Sequence, residues 1–287
     1  MSTAIIYDNI DLTQETPPDE VAAFLDEPYI LSAETLDYYR INGFAKIEGL
    51  LTGEALNYFR AIIGAAVGYS YRDDHRTLAE KPAYQQSFLQ AMRLCFQFPA
   101  IKPFSFSKRF AGVARDLMRV DHVRLWHDQA LYKQPHARLT NHHQDAAFWP
   151  LEPGGLTTTL WMALCDVPME RGCMAFVPNS HQLGEKEFVD IFNGTDEMER
   201  RSKKVRESEW VPLPLRAGDA TFHSGLTYHR AFANQTDEMR EAMTVIYFGD
   251  GARYEFSNPR LERHNREEVG GLRIGAKIDT PTTPILI

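Results

Sequence analysis

The sequence predicts an α+β protein that is mainly β, in which N-terminal helices flank a double-stranded β-helix core of the jelly-roll or cupin-like type. Two observations lead to this class. Helix-like segments fill the first part of the chain, and from about residue 121 many short strand-like runs alternate with turn signals. The 287 residues and the hydrophobic fraction of 44% suit one large core. We therefore expect a single domain over 1–287.

The chain before the core divides into two parts. Residues 1–30 are polar and predict an N-terminal arm that lies on the surface. Residues 31–120 predict helical support for the core. Ser32 suits the N-cap of a helix that runs through Arg40, with Glu34 in its first turn.

The next segment predicts a short strand and a second helix. Asn42 and Gly43 end the first helix, and the alternation over 44–48 is typical of a strand. Thr52 suits the cap of the second helix. The apolar residues of this helix recur at helical spacing: Leu56, Phe59, Ile62, Ile63 and Ala66.

Residues 70–107 are rich in aromatic and charged side chains. We expect these aromatics to pack helices onto a sheet, and the lining of a substrate pocket is the alternative. Residues 110–118 predict another short helix before the core begins.

The expected core spans 121–250 and contains five strand-like runs. They cover 123–132, 156–164, 174–177, 220–222 and 243–248. The charged stretch 184–208 interrupts them and predicts a solvated insert, with a mobile flap over the site as the alternative. The tail 251–287 has little periodicity, and we expect it to wrap the barrel.

Composition excludes several classes of function. The net charge of −8 argues against a nucleic-acid-binding surface. No apolar run approaches the roughly 18 residues of a transmembrane helix, and the first residues do not resemble a signal peptide. Cys95, Cys165 and Cys173 are widely spaced, which predicts buried thiols in a reducing compartment. We expect a cytoplasmic protein whose partner is a small-molecule substrate, with no nucleic acid and no membrane as partner; the oligomeric state stays open.

A His-x-Asp motif, His143 and Asp145, organises the candidate chemistry. Side chains two residues apart on a strand point to the same side, so this pair can hold one metal ion. A distant histidine would complete the facial triad of non-heme Fe(II) oxygenases, which keeps coordination positions open for substrates. The motif alone is common by chance, and a hydrogen-bonded polar cluster at a strand end is the plain alternative.

Two histidines, His223 and His229, compete for the third ligand position. An oxygenase of this type also needs an anchor for a carboxylate cosubstrate, and arginine suits it because its guanidinium meets a carboxylate in two parallel hydrogen bonds. Arg240 begins the strand after the His229 strand, so the two residues can lie close together if those strands are neighbours. We therefore prefer His229 as the ligand and expect His223 to support the site or to line the pocket.

Beyond these residues, the chain resembles the phytanoyl-CoA dioxygenase family of Fe(II)/2-oxoglutarate-dependent oxygenases over most of its length. The resemblance rests on motifs in chain order: Tyr-Arg-Ile-Asn-Gly-Phe at 39–44, Glu-Gly-Leu-Leu at 48–51, His-Gln-Asp at 143–145, Gly-Cys-Met at 172–174, Val-Pro-Asn-Ser-His at 177–181, Ala-Gly-Asp at 217–219, His229, Asn234, Arg240 and the region 271–275.

The resemblance implies that His143, Asp145 and His229 bind iron. It implies that Arg240 pairs with the far carboxylate of 2-oxoglutarate and that O2 is the second cosubstrate. Further cosubstrate contacts that it implies are Trp161, Lys133, Asn141 and Thr158. The carboxylate of Asp145 favours hydroxylation or another C–H oxidation over chlorination, because the related halogenases lack it.

Aromatic and imidazole side chains flank the metal strand and are candidate walls of a substrate pocket: Trp126, His127, Phe148 and Trp149. They suit a small or medium-sized organic substrate, such as a natural-product intermediate or a fatty acyl derivative, and packing within the barrel explains them equally well. Residues 228–232 carry bulk where the family has small residues after the distal histidine, so we expect a narrower site.

The expected reaction is oxidation of a C–H bond, most simply hydroxylation, with release of succinate and CO2. Desaturation, ring formation and epimerisation stay open. One alternative is a zinc-binding cupin that isomerises or hydrolyses its substrate with the same ligands but has no need for Arg240. Another is a non-catalytic binder of small molecules on a degenerate barrel, against which the intact ligand set argues.

Overall fold

The computed structural model describes residues 5–184, 209–255 and 266–287. The strands in these ranges are β1 (Ile6–Tyr7), β2 (Ile10–Asp11), β3 (Phe44–Ile47), β4 (Leu89–Met92), β5 (Val123–Tyr132), β6 (Thr140–His143), β7 (Leu151–Glu152), β8 (Thr157–Ala163), β9 (Met174–Phe176), β10 (Val211–Leu213), β11 (Ala220–Ser224), β12 (His229–Ala231), β13 (Ala242–Gly249) and β14 (Arg253–Tyr254). The α-helices are α1 (Asp19–Asp26), α2 (Ala33–Asn42), α3 (Gly53–Ser70), α4 (Ala83–Ser87), α5 (Leu94–Gln97), α6 (Lys102–Ser105) and α7 (Lys108–Met118).

Two antiparallel sheets build the core. The larger sheet has six strands in the order β3-β11-β8-β13-β5-β4, and the smaller has four in the order β10-β9-β12-β6. Two further pairs, β1 with β2 and β7 with β14, lie outside them. Sheets that pack in this way and follow a helical N-terminal part confirm the mainly β, jelly-roll class expected from the sequence.

The two faces of the larger sheet bury different partners. On β8, Leu160 and Met162 join the apolar core that also contains Phe59 of α3 and Phe110 of α7. Trp161 lies between these two residues and packs instead with Phe176 of β9 in the smaller sheet. Alternate side chains of a strand point to opposite faces, so one face meets the helices and the other faces the smaller sheet. The candidate site lies between the sheets.

Local sequence signals set the ends of α2 as expected. The Ser32 side chain accepts a hydrogen bond from the backbone N–H of Thr35 at 3.2 Å. Gly43 ends the helix with a φ of +81°, and a Cβ there would lie 2.5 Å from Thr227 Oγ1. This close approach lets the Gly43 carbonyl accept a hydrogen bond from Thr227 Oγ1 at 2.8 Å. The end of α2 thereby holds the turn that leads into β12.

The N-terminal segment is held by buried side chains within its described part. Leu12, Val21 and Leu25 are almost completely buried and belong to the main apolar core. The Leu12 carbonyl also accepts a hydrogen bond from the backbone N–H of Ala100 at 3.1 Å. The proposed division into an arm, a helical support, a core and a tail stays a prediction.

The C-terminal residues lie along β5 of the larger sheet. The N–H of Val123 donates to the Ile287 carbonyl at 3.1 Å, and the N–H of Leu286 donates back to the Val123 carbonyl at 2.9 Å. Val269 and Ile278 are buried with Trp126 in a separate apolar cluster. Of the expected charged insert over 184–208, residues 185–208 lie outside the described residues. Among the helices in the described ranges, none combines the length and the apolar character that crossing a membrane requires.

Candidate metal centre

Strand register brings the three candidate ligands together. His143 ends β6 and His229 begins β12, and the two residues are direct partners in the antiparallel ladder of the smaller sheet. Asp145 follows two residues after His143 and opens a 3-10 helix, Asp145–Ala147. The pairing of these two strands therefore brings together His143 and His229, which are far apart in the sequence.

The ligand atoms of these three residues converge on one point. One atom from each of His143, Asp145 and His229 lies within 4.8 Å of the others. Asp145 Oδ1 is 3.5 Å from Nε2 of His143 and 3.5 Å from Nε2 of His229. These separations suit three ligands around one ion, because such ligands lie about 2 Å from a bound metal.

Backbone carbonyls fix which nitrogen of each imidazole is free. Nδ1 of His143 lies 2.8 Å from the Asn141 carbonyl, and Nδ1 of His229 lies 3.0 Å from the Thr227 carbonyl. A carbonyl can only accept, so both rings carry their proton on Nδ1. The Nε2 lone pairs of both histidines therefore face Asp145 and are available to a metal.

The electrostatics of the cluster favour the ligand forms of its side chains. Burial lowers the pKa of His229 well below its usual value, and the neighbouring His143 adds to this, so the ring is neutral. Burial alone would raise the pKa of Asp145. The three neighbouring imidazoles, those of His229, His143 and His223, outweigh that effect and hold the pKa of Asp145 well below its usual value. A neutral imidazole beside an ionised carboxylate is the state that binds a divalent metal.

His223 contacts the same carboxylate from the other side. Its Nε2 lies 3.1 Å from Asp145 Oδ2, and Thr159 Oγ1 donates to that same oxygen at 2.8 Å. His223 is buried, and its ring lies 4.4 Å from the ring of His229. Of the two histidines that compete in the sequence, His229 belongs to the three-ligand cluster and His223 lies beside it.

Arg240 is a buried cation, and the described part of the chain supplies no anionic partner for it. Its side chain is 2% exposed, and its guanidinium donates to the Gly172 and Leu131 carbonyls at 3.2 and 2.9 Å. Among the residues that the structure describes, Nε has no hydrogen-bond partner and no carboxylate lies within 4 Å of the guanidinium. Burial lowers the pKa of Arg240 to about 10. An anion from outside the chain would satisfy both the charge and the free donor.

The triad and Arg240 share one cavity of about 300 Å3, which is at the lower end of the size usual for small-molecule sites. Of the residues expected from the sequence, five more line it: Trp161, His127, Phe148, Trp149 and His223. Trp161 lies beside the anion anchor, with the Arg240 guanidinium 5.0 Å from its ring centre. One cavity therefore joins the three candidate metal ligands, the buried Arg240 and aromatic walls.

Four expected site residues do not line this cavity. The ammonium of Lys133 donates to the Ser87 and Arg138 carbonyls and to Thr140 Oγ1, which uses all three of its hydrogens. Thr158 Oγ1 donates to the His223 carbonyl at 3.1 Å and accepts from Tyr39 Oη. These contacts place both residues in the support around the site.

The other two residues also act at a distance from the cavity. Asn141 contributes its backbone carbonyl, which orients His143. Trp126 packs with Phe248, with ring centres 6.4 Å apart. The cosubstrate contact that the resemblance implies for Asn141, and the place in the pocket wall expected for Trp126, stay predictions.

Sequence reasoning missed several cavity residues: Thr159, Thr244, Gln129, Gln90, Leu131, Met92 and Met174. Those on β5 and β8 lie two residues from expected ones, so strand alternation would have found Gln129 from His127 and Thr159 from Trp161. Tyr84 and Phe88 come from the aromatic-rich segment whose role as a pocket wall was the alternative expectation.

The residues present fit a mononuclear iron site. Two imidazole nitrogens and one carboxylate oxygen form the donor set of the 2-His-1-carboxylate facial triad. The buried Arg240 with a free Nε fits a dicarboxylate cosubstrate. A zinc site would use the same three ligands but would leave the charge of Arg240 without a purpose.

Comparison with known proteins agrees with this geometry. The sequence profile of the family described as phytanoyl-CoA dioxygenase (PhyH) matches residues 39–242. Phytanoyl-CoA dioxygenase domain-containing protein 1 of Mus musculus is 35% identical over 121 residues, 40% of this chain and 41% of that protein. The peroxisomal phytanoyl-CoA dioxygenase of Rattus norvegicus is 22% identical over 250 residues, 83% and 74% of the two chains. The chain spans about half or less of the length of two curated relatives that it matches. The matched part is 41% of the mouse protein and 52% of the phytanoyl-CoA dioxygenase domain-containing protein 1 of Danio rerio.

Solved structures match over more of the chain. SnoK, a non-heme alpha ketoglutarate dependent carbocyclase from nogalamycin biosynthesis, is 26% identical, with a TM-score of 0.74 over 90% of this chain and 99% of its own. The epimerase SnoN, in complex with Fe3+, alpha ketoglutarate and nogalamycin RO, is 26% identical, with a TM-score of 0.71 over 88% and 98%.

These matches confirm the dioxygenase-type enzyme class expected from the sequence and its cofactors, iron and 2-oxoglutarate. The family profile alone covers well over half of the 287 residues. The chain belongs to the phytanoyl-CoA dioxygenase family.

Proposed function

We propose that this protein is an Fe(II)/2-oxoglutarate-dependent oxygenase that oxidises, most simply hydroxylates, a C–H bond of a small organic substrate. 2-Oxoglutarate and O2 are consumed, and succinate and CO2 are released. His143, Asp145 and His229 hold the iron, and Arg240 holds the far carboxylate of 2-oxoglutarate.

The observation that carries the proposal is the buried charge of Arg240 in the cavity of the triad. A guanidinium that is 2% exposed and lacks an anionic partner among the described residues is costly unless a ligand supplies the anion. Its free Nε leaves room for a charge-assisted hydrogen bond to a carboxylate. A zinc isomerase or a hydrolase with the same three ligands gives no reason for this residue.

The chain's own groups supply binding, orientation and exclusion of water. The carbonyls of Asn141 and Thr227 hold the two imidazoles with Nε2 toward the ion. Trp161 packs against the guanidinium and so limits where the cosubstrate carboxylate can lie. A bound iron would supply, together with 2-oxoglutarate and O2, the oxidant for a C–H bond, and the protein sets which bond is within reach.

The proposed substrate is a natural-product intermediate or an acyl derivative with a substantial apolar surface. Four aromatic side chains of the cavity lining, Phe148, Trp149, Tyr84 and Phe88, offer aromatic contact. SnoK and SnoN, which the chain resembles, act in nogalamycin biosynthesis, which favours the first of these two classes. Hydroxylation, ring closure and epimerisation are outcomes that such a site supports, and hydroxylation is the simplest.

Two further expectations belong to this proposal. The substrate is the partner, with neither nucleic acid nor membrane expected, and a cytoplasmic location remains expected. The acidic net charge of −8 supports the absence of a nucleic-acid partner.

The test is formation of succinate by the purified protein loaded with Fe(II) under anaerobic conditions and then supplied with 2-oxoglutarate and O2. We expect succinate with iron, none with zinc, and faster formation with a true substrate from a panel of aromatic polyketides and acyl thioesters. Asp145→Asn is the matched variant because it keeps the size of the side chain but removes its charge. Succinate that forms equally with zinc, or the failure of iron-loaded protein to bind 2-oxoglutarate, would contradict the proposal.

A further inference from the structure

The carboxylate of Asp145 presents its two oxygens to different partners. Oδ1 lies 3.5 Å from Nε2 of both His143 and His229, on the side where these two rings offer their lone pairs. Oδ2 accepts a hydrogen bond from Thr159 Oγ1 at 2.8 Å and lies 3.1 Å from Nε2 of His223. The two oxygens are therefore not equivalent even before a ligand binds.

The partners of His223 make it a donor, unlike the other two imidazoles. Within the part of the chain that the structure describes, its Nδ1 is buried without a hydrogen-bond partner, and its Nε2 lies 3.1 Å from the carboxylate oxygen Oδ2 of Asp145. A carboxylate is an acceptor, so the proton of His223 lies on Nε2. His143 and His229 carry theirs on Nδ1 because carbonyls face those atoms. Two rings thus offer lone pairs at Nε2, and the third offers a proton there.

The larger sheet places the two donors side by side. His223 of β11 and Thr159 of β8 are direct partners in the antiparallel ladder, so their side chains leave the same face next to each other. Both are almost completely buried. The stacked rings of Phe44 and Phe176 border His223 on its other side, with Phe176 5.3 Å from its ring. In such an apolar setting a charge-assisted hydrogen bond is stronger than in water.

On the basis of the proposed iron site, we propose that His223 and Thr159 are a pair of positioning residues for Asp145. Their two donors occupy Oδ2 and hold the carboxylate so that only Oδ1 reaches the ion. A carboxylate free to turn could bind through both oxygens and would fill a position that 2-oxoglutarate or O2 requires. The larger sheet thereby keeps open a coordination position of a centre whose ligands come from the smaller sheet and the turn that follows it.

Iron affinity of the apo-protein tests this without turnover. Fe(II) is titrated anaerobically in competition with a chromogenic chelator, and binding of 2-oxoglutarate to the iron-loaded protein is then measured by calorimetry. Glutamine places its amide nitrogen near the position of histidine Nε2, whereas asparagine reaches only as far as Nδ1. We expect His223→Gln to stay within a few-fold of the unaltered protein and His223→Asn to lose affinity for iron by about 10–100-fold.

Thr159→Val is the second variant, because it removes the other donor at almost constant volume, and we expect a loss of iron affinity in the same range. Thr221→Val is its control: Thr221 lies two residues before His223 on β11, and its buried hydroxyl has no hydrogen-bond partner among the described residues. We expect Thr221→Val to bind iron as the unaltered protein does. Thermal unfolding of each apo-variant checks folding, and Thr159→Val decides the matter if His223→Asn does not fold.

The outcomes separate this inference from the proposed function. If the unaltered protein binds iron and Thr159→Val binds it equally well, the positioning pair is refuted while the oxygenase stands. Equal losses in His223→Gln and His223→Asn would refute the donor role of Nε2. If the unaltered protein binds no iron, the proposed function itself fails.

Discussion

At the scale of single residues, the charge of Arg240 decides between an oxygenase and other uses of the same ligands. Its guanidinium is held by the Gly172 and Leu131 carbonyls, and Nε stays free. Removing one partner of a buried charge pair costs about 2 kcal/mol or more. Arg240→Met is therefore expected to raise the KM for 2-oxoglutarate by roughly 30-fold or more in a succinate assay.

Arg240→Lys is the matched control, since it keeps the charge but loses the planar fork. Its KM should lie between those of the unaltered protein and Arg240→Met. An unchanged KM in Arg240→Met would show that the cosubstrate carboxylate binds elsewhere.

Residue roles could be predicted from the sequence where chemistry depends on local spacing. His143 and Asp145 are two residues apart, and the pairing of β6 with β12 supplies His229. Lys133 shows where such reasoning stops, because its three acceptors come from backbone and side chains that no local pattern reveals. The chemistry of arginine predicts an anionic ligand beside Arg240. The burial of this guanidinium without an anionic partner among the described residues supports that prediction.

At the scale of elements, the turn before β11 depends on a glycine. Gly218 has a φ of +88°, and a Cβ there would lie 1.9 Å from the Leu51 carbonyl oxygen. Backbone cannot move aside cheaply, so Gly218→Ala combines a left-handed backbone with a steric clash. We expect it to lower the free energy of unfolding by about 3 kcal/mol or more, measured by urea denaturation.

Gly251→Ala serves as the comparison. Its φ is +101°, and a Cβ there would meet no described residue within 4 Å, so we expect only the backbone cost of about 1–2 kcal/mol. Equal losses in the two variants would mean that the contact with Leu51 adds nothing.

Element boundaries followed the sequence where caps and length gave a strong signal. The run 123–132 matches β5, and Ser32 caps α2 as expected. β6 and β12 have four and three residues, too few for a periodic pattern. The sequence also gives no signal for a bulge in β5. Ile246 and Tyr247 are consecutive in β13, but their partners in β5 are His127 and Leu125, so one residue of β5 is extra. This extra residue is Trp126, which does not line the cavity, whereas the neighbouring His127 does.

At the scale of the whole molecule, the site holds charged side chains whose charges bound Fe(II) and 2-oxoglutarate would compensate. Arg240 is buried and Asp145 is partly buried, and neither has an opposite fixed charge from a lysine, arginine, aspartate or glutamate among the described residues. Ligands that bind only the folded state stabilise it by mass action, by about 2.7 kcal/mol at 100 times Kd. We expect Fe(II) with 2-oxoglutarate to raise Tm by roughly 5 °C or more under anaerobic conditions.

The same thermal scan separates the contributions. 2-Oxoglutarate without metal should shift Tm much less, because only Arg240 then holds it. Equal shifts with and without iron would place the cosubstrate away from the triad.

The class of the fold could be predicted from the sequence, but the paths of individual segments could not. Short strands with turn signals indicated the double sheet, whereas the course of the tail along β5 rests on hydrogen bonds between Val123 and the residues near Ile287. Contacts between segments so far apart in sequence leave no periodic pattern in either of them. The substrate depends on the cavity walls that several elements build together, and its identity is set at this scale.

The central claim is that one iron ion lies among His143, Asp145 and His229 with 2-oxoglutarate held by Arg240. The most direct measurement is an anomalous difference map, collected near the iron edge, from crystals of the protein grown or soaked anaerobically with Fe(II) and 2-oxoglutarate. We expect one strong peak between the two Nε2 atoms and Oδ1, and a carboxylate of the cosubstrate against the Arg240 guanidinium. A crystal that shows the iron elsewhere, or the cosubstrate away from Arg240, would contradict this account.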